Sequence, residues 1–356
     1  MKILILIDGT NGVIAVNEVR LEIEKTIKRT LNDAETEYVA EDKENGTKSA
    51  FLTNMLGGKT LGGKVYDGNF FVKNAAYGVC GDTAVISVAD TSSVKEVMIK
   101  DPGYATSYGL GQQIKSAFKV GKEKFVLMID GGASNDGGAG AAAALGVKFY
   151  DKEGNEFVPT GVTIGKVEKI DESGLDERIK TSKFVAISEE NVKITGEKGC
   201  AFTTAKGKGA KNEKMQVELE ENMKEFLKKN AFDNIDKEEN GLGNGGGLGL
   251  FTKTILKGAI KNKVQWIREN AGGYVEKKLE SVDGILSVKI TGEGRKNDEF
   301  DALTEIYKEK AKRQFFFEAE IDGKEGSERE TIKEINVKIT EICNEILKLN
   351  GDGRIS

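Results

Sequence analysis

The chain contains no histidine. Every mechanism that needs a histidine base, a histidine metal ligand or a phosphohistidine is thereby excluded. Cysteine is scarce: Cys80, Cys200 and Cys343 are odd in number and widely spaced. They supply neither a disulfide framework nor a zinc pattern, and they predict a reducing, cytoplasmic setting. Excess positive charge is lacking too. The net charge of −5 argues against a general nucleic-acid binder, which carries a basic surface. No apolar run reaches the length of a membrane span, so no membrane partner is expected. The opening MKILILIDGTNG has one lysine and a short apolar run cut off at once by Asp8 and Gly9. It reads as a first strand, not a secretory signal.

What remains is informative. At 356 residues, two domains are expected, each able to bury a core. The chain holds 44 glycines, many clustered in a few loops. The acid–base groups left are Asp, Glu, Lys, Tyr and Cys. Carboxylates, a divalent metal and Lys or Arg are the equipment of phosphoryl transfer.

Lys2–Ile7, Val16–Leu31, Glu37–Ala40 and Lys48–Met55 read as strand, helix, strand, helix. This βαβα order predicts a parallel sheet with covering helices. From about Val65 the texture changes to strands of a mixed or antiparallel sheet. Tyr108–Phe118 reads as a helix, Lys183–Ser188 as a strand and Lys214–Lys229 as a charged amphipathic helix. A further helix is expected over Leu250–Lys261 and a strand over Ile285–Ile290, and the tail is expected to be mostly helical. The pattern allows the tail to rejoin the first βα unit, but does not require it.

The densest signal is FVLMIDGGASNDGGAGAAAALG, Phe125–Gly146. An apolar strand breaks into a glycine loop and then an alanine helix stopped by Gly146. Strand, glycine loop and helix N-terminus form a receptor for anions. Asp130 and Asp136 in the same loop would repel bare phosphate, so they suggest a bridging metal or a hydroxyl to be deprotonated. Asp8 ends the first strand, where ligands collect in open parallel sheets. It can hold metal or substrate, or cap a helix. Asp42 and Thr47 lie on the same expected edge, or in a plain surface turn. Glu293 and Arg295 follow a strand on a glycine-flanked turn. Arg295 can clamp a carboxylate or phosphate, or pair with Glu293. NGLGNGGGLG, Asn240–Gly249, can admit phosphate to a helix start, although it is not a Walker motif. Lys206–Gly209 offers cations to phosphates or forms a solvated loop. Tyr108 reads as a core aromatic at a helix start.

Taken in order, these segments resemble the bacterial type-1 glycerate kinase family. GGASNDGGAG is similar to that family's GGSATNDGGAG, with one residue missing. IDESGLDERI is similar to its ID-x-SGLDPR stretch, GLGNGGGLG to its GAGAAGGLG, and ITGEGR to its ITGEGR. Asp8 and Gly12 fit its PDSFKG, DKENGT fits its DGGEGT, and SYGLGQQI resembles its TYGTGELI. The resemblance runs from Met1 to about Asp301.

The resemblance implies an α/β protein in which a Rossmann-like parallel-sheet domain is formed by both chain ends and a second α/β domain is inserted. On this reading residues 1–64 and 282–356 form the first domain, and 65–281 the glycine-loop domain. It implies ATP, Mg2+ and D-glycerate, with 2-phosphoglycerate as product and ligands held between the domains. Asp136, Asp42 and Arg295 take catalytic roles. Asp8, Gly12, Thr47, Gly131, Gly132, Ser134 and Asn135 bind substrate or nucleotide, with Lys208, Gly245, Gly246, Gly247 and Glu293. Asp8, Asp136 and Glu293 are the metal candidates. A monomer or homodimer is expected.

The chain also departs from the family pattern. The lysine of PDSFKG falls at Asn11 and the glutamate of DGGEGT at Asn45. The aspartate of CDV-x-NP falls near Ser188, with Asn191 kept. FGPQKGA has become FTTAKGKGA, and Lys296-Asn297 replaces Leu-Asp after ITGEGR. The GKAPIGVA-like run is missing. These changes support an alternative: a kinase-like protein that binds a small acid or nucleotide without turnover.

Overall fold

The computed structural model describes residues 1–8, 14–40, 48–230, 235–236, 238–291, 298–322 and 328–351. The chain divides into two compact units. One comprises Met1–Gly57 with Val264–Ser356, the other Gly58–Lys263.

The first unit holds a four-stranded parallel sheet. Its spatial order is Phe315–Asp322, Gly284–Thr291, Lys2–Ile7, Glu35–Ala40. Lys2–Ile7 lies inside, and its residues from Ile3 to Ile7 are buried throughout. That explains its unbroken apolar sequence, since a central parallel strand is covered on both faces. Ile3, Ile5 and Ile7 pack with Val19, Ile23 and Ile27 of the helix Val16–Thr30 and with Ile335, Ile339 and Ile346 of the helix Glu328–Gly351. The four-residue spacing of Val19, Ile23 and Ile27 is what makes Val16–Thr30 amphipathic.

The second unit holds a six-stranded sheet. Its order is Ala259–Asn262, Lys183–Ser188, Lys124–Met128, Thr83–Ser87, Val72–Cys80, Lys59–Tyr66. The first four strands are parallel, and the last two form an antiparallel hairpin at one side. Its core gathers Leu110, Ile114, Phe125, Leu127, Leu248 and Phe251 among others. Phe125 stacks on Phe184 across adjacent strands, ring centroids 4.6 Å apart. In register, Ser87 and Ile187 both face Met128, and Ser188 faces Asn262. The carboxyl ends of the parallel strands therefore share one edge.

Two elements differ from the sequence expectation. The helix expected over Leu250–Lys261 runs instead from Asn244 to Thr254, and Ala259–Asn262 is a strand. Lys257 has a left-handed φ of 54°, which ends the helix, and pairing with Val185–Ser188 makes the strand. The tail is mostly helical as expected, with the helices Asp298–Lys310 and Glu328–Gly351, and between them Phe315–Asp322 forms an edge strand beside Gly284–Thr291. The parallel sheet built from both chain ends, with a second α/β unit inserted, is as the sequence led us to expect.

Candidate active site

Ligands bind open α/β sheets outside the carboxyl ends of the strands. On that edge of the second unit, the loop after Lys124–Met128 meets the glycine run 244–247. The two are interlocked. Gly137 N donates to Gly246 O at 3.0 Å. Gly245, Gly246 and Gly247 all have positive φ, 64°, 76° and 98°. A β-carbon at Gly246 would overlap Ser134 O and approach Lys208 Nζ and Asn135 Oδ1. Only glycine allows this backbone to lie on that loop.

Asp136 is fully enclosed by donors. Its Oδ2 accepts from Ser107 N at 2.7 Å, Ser107 Oγ at 2.9 Å and Gly140 N at 3.3 Å, while Oδ1 accepts from Gly138 N at 3.1 Å. It thus ties the start of the helix Tyr108–Lys119 to the start of Ala139–Ala144. Burial pushes its carboxyl up, and these hydrogen bonds pull it back down.

Asp130 has a different setting. Its Oδ2 accepts from Glu189 N at 2.8 Å, and its Oδ1 accepts from Ser188 Oγ. Burial pushes its pKa up to about 6; the two hydrogen bonds and Lys263 oppose the rise, and the Glu190 charge adds to it. Lys263 itself pairs with Glu189 at 2.6 Å. Glu190 Oε2 accepts from Gly245 N at 3.2 Å. Asn244 Nδ2 donates to Glu190 O and Asn244 Oδ1 accepts from Val192 N, both at 2.8 Å. The loop after Lys183–Ser188 is thereby fastened to the glycine run.

Lys208 is buried beneath both loops. Its Nζ donates to Ser134 O at 2.8 Å and contacts Asn135 Oδ1 at 3.5 Å. Burial lowers its pKa; Cys200, Glu190, Asp136 and Asp130 act in the opposite direction. Asn135 Nδ2 reaches Cys200 Sγ at 3.5 Å. Burial raises that thiol to about 11, so Cys200 is not a thiolate nucleophile at neutral pH.

The remaining sequence candidates distribute as follows. Gly131 O accepts from Val94 N at 3.1 Å, and Gly132 bridges Ser93. Asp8 belongs to the first unit, where it is 2% exposed at the end of Lys2–Ile7 and its N donates to Val288 O at 2.9 Å. Gly12, Asp42, Thr47, Glu293 and Arg295 lie outside the described residues. Among the described residues, no group of three or more carboxylates or cysteines is placed to hold a metal ion. With Asp136 accepting from Ser107, Gly138 and Gly140, it is a poor metal ligand in this geometry. Sequence reasoning did not single out Ser107, Asn244 or Glu190, nor pair Ser188 with Asp130. The only available signal was their presence within glycine-bearing segments at strand ends.

Comparisons with known proteins agree on one family. The family model described as the glycerate kinase family matches residues 3–304. A glycerate kinase of Bacillus cereus is 35% identical over 228 residues, which is 62% of this chain and 58% of the relative. A glycerate 2-kinase of Escherichia coli is 32% identical over 311 residues, 83% of this chain and 77% of the relative. The match thus spans less than two thirds of the Bacillus relative's length. A crystal structure assigned to glycerate kinase 2 of Salmonella typhimurium superposes with a TM-score of 0.78 at 22% identity, covering 99% of each chain. At that identity the likeness speaks for the fold.

Proposed function

The chain belongs to the glycerate kinase family, and on that premise we propose that it is an ATP-dependent kinase converting D-glycerate to 2-phosphoglycerate. One observation carries the reading. Two glycine loops interlock over the buried ammonium of Lys208, with the Asp130 carboxylate at the same strand edge.

A buried, fixed cation is worth more to a phosphoryl group than a solvated one, because no solvent must reorganise around it. Lys208 therefore supplies positive field to the transferring group. Asp130, whose pKa is raised to about 6 and which is mostly ionised at neutral pH, takes the proton of the attacking hydroxyl. Asp136 positions the loop that presents both. Magnesium, when bound, neutralises charge on the ATP phosphates. A reducing cytoplasm suits three buried cysteines that form no disulfide.

A second reading, binding without turnover, draws on Ser188 standing where the family pattern has an aspartate. The test is ATP consumption by purified protein with Mg2+ and D-glycerate, with the product's phosphate position read by phosphorus NMR. Glycerate-dependent formation of 2-phosphoglycerate is expected. A cooperatively melting protein that consumes no ATP, yet melts at higher temperature with ATP or D-glycerate present, would favour the second reading instead.

A further inference from the structure

The turn between Lys59–Tyr66 and Val72–Cys80 carries aromatic side chains that the core does not absorb. The rings of Tyr66, Phe70 and Tyr108 form a triangle with centroids 6.1, 5.9 and 5.7 Å apart. Phe70 and Phe71 are 40% and 48% exposed. Phe70 holds a left-handed φ of 61°, which a bulky side chain rarely adopts. The turn is nevertheless well fastened. Asp67 Oδ1 accepts from Asn69 N at 2.8 Å and Phe71 N at 2.9 Å. Asn69 exchanges two hydrogen bonds with the backbone of Ile99, at 3.1 and 2.9 Å. The fold thus fixes an aromatic ring outward at the cost of backbone strain.

Its location gives that ring a use. Val72–Cys80 runs antiparallel to Thr83–Ser87, with Cys80 opposite Thr83 and Gly78 opposite Val85. The start of Val72–Cys80 therefore overhangs the carboxyl edge of the parallel strands, where the glycine loops lie. The connection is direct. Gly68 rests so closely on Ser92 that a β-carbon would not fit, and Ser92 O accepts from Ala133 N at 2.8 Å. Thr106 N donates to Gly68 O at 2.9 Å, and the next residue, Ser107, holds Asp136.

We infer that this aromatic turn stacks the purine base of the phosphoryl donor, an inference that rests on the kinase reading. A nucleoside triphosphate needs a cationic, glycine-lined seat for its phosphates and a flat apolar one for its base. Glycerate has no flat face to offer. The only charged residue between Tyr66 and Val72 is Asp67, and its carboxylate is engaged by the turn itself. Stacking on exposed aromatic rings suits a base whose edges are not read by hydrogen bonds.

Calorimetric titration of the full chain with MgATP and with magnesium tripolyphosphate, which lacks a base, separates the two seats. Wild type should bind ATP roughly tenfold or more tightly than tripolyphosphate. Phe70→Gly removes the ring yet suits the left-handed backbone, and thermal melting checks that the fold persists. This variant should lose most of the preference with tripolyphosphate affinity unchanged, and Phe70→Tyr should keep it. An undiminished preference in Phe70→Gly overturns the base seat and leaves the kinase reading standing. So does loss of a concentration-dependent self-association in place of the nucleotide preference, which would assign the patch to a second copy of the chain. Binding of neither probe overturns the kinase reading, and the base seat with it.

Discussion

Asp130 and Asp136 share one loop, yet hydrogen bonding sets them to different tasks. Asp136 accepts from Ser107, Gly138 and Gly140 and ties two helix starts together. An amide in its place puts an NH2 against donors. Asp136→Asn should therefore lower stability by about 2–4 kcal/mol and abolish activity together, checked by denaturant titration beside the kinase assay. Asp130→Asn keeps a carbonyl acceptor for Glu189 N, and its NH2 can donate to the Ser188 hydroxyl, which is free to turn and accept. We expect kcat to fall by about 10²–10⁴-fold with little change in KM. In wild type, activity should rise with pH through an apparent pKa near 6, and the variant should lose that limb. Stability carries the same signature with opposite sense. The folded pKa of Asp130 is raised above 3.8, so its contribution is fully present below that value and is lost as pH rises through about 6. Between pH 4 and pH 7.5 wild type should lose on the order of 3 kcal/mol that the variant keeps. Parallel pH profiles of melting for the two proteins would refute this contribution.

Among elements, the run 244–247 is the most constrained. Gly246→Ala places a β-carbon on Ser134 O at a positive φ, and should cost about 2–4 kcal/mol as well as activity. A melting temperature unchanged from wild type would contradict that packing. This loop also shows how far the sequence could be read. Its glycines and the unbroken KILILI strand announce themselves by composition, because backbone approach and two-sided burial leave few residue choices. Phe315–Asp322 is less plain: its phenylalanines and Ile321 suit a strand, but Glu318, Ala319 and Glu320 interrupt them, and its place is set by pairing with the distant Gly284–Thr291. Likewise the contact of Lys208 with Ser134 spans 74 residues of sequence. No local pattern foretells it. The division of labour between two aspartates was equally hidden, because the deciding donors, Ser107 and Ser188, arrive from other strands and helices.

At the scale of the whole molecule, each unit owns its core. The residues packed around Phe125 and Phe251 all lie within 58–263, and those around Ile5 all lie outside it. We propose that the two units are separately folding domains. Residues 58–263 expressed alone should melt cooperatively in scanning calorimetry, and a non-cooperative trace would reject the proposal. Saturating the full chain with MgATP should raise its melting temperature, with a gain of about 2.7 kcal/mol at a hundredfold excess over Kd.

The pairing of Lys2–Ile7 with Gly284–Thr291 has a consequence for the order in which the protein is made. On the ribosome the first strand can pair early with Glu35–Ala40 on one side, but its other edge must wait for Gly284–Thr291 while the whole inserted unit is synthesised. That unit has every strand of its six-stranded sheet within its own segment and can close first. The open edge of KILILI is then an adhesive surface on the nascent chain, and a stretch that a chaperone would have reason to cover.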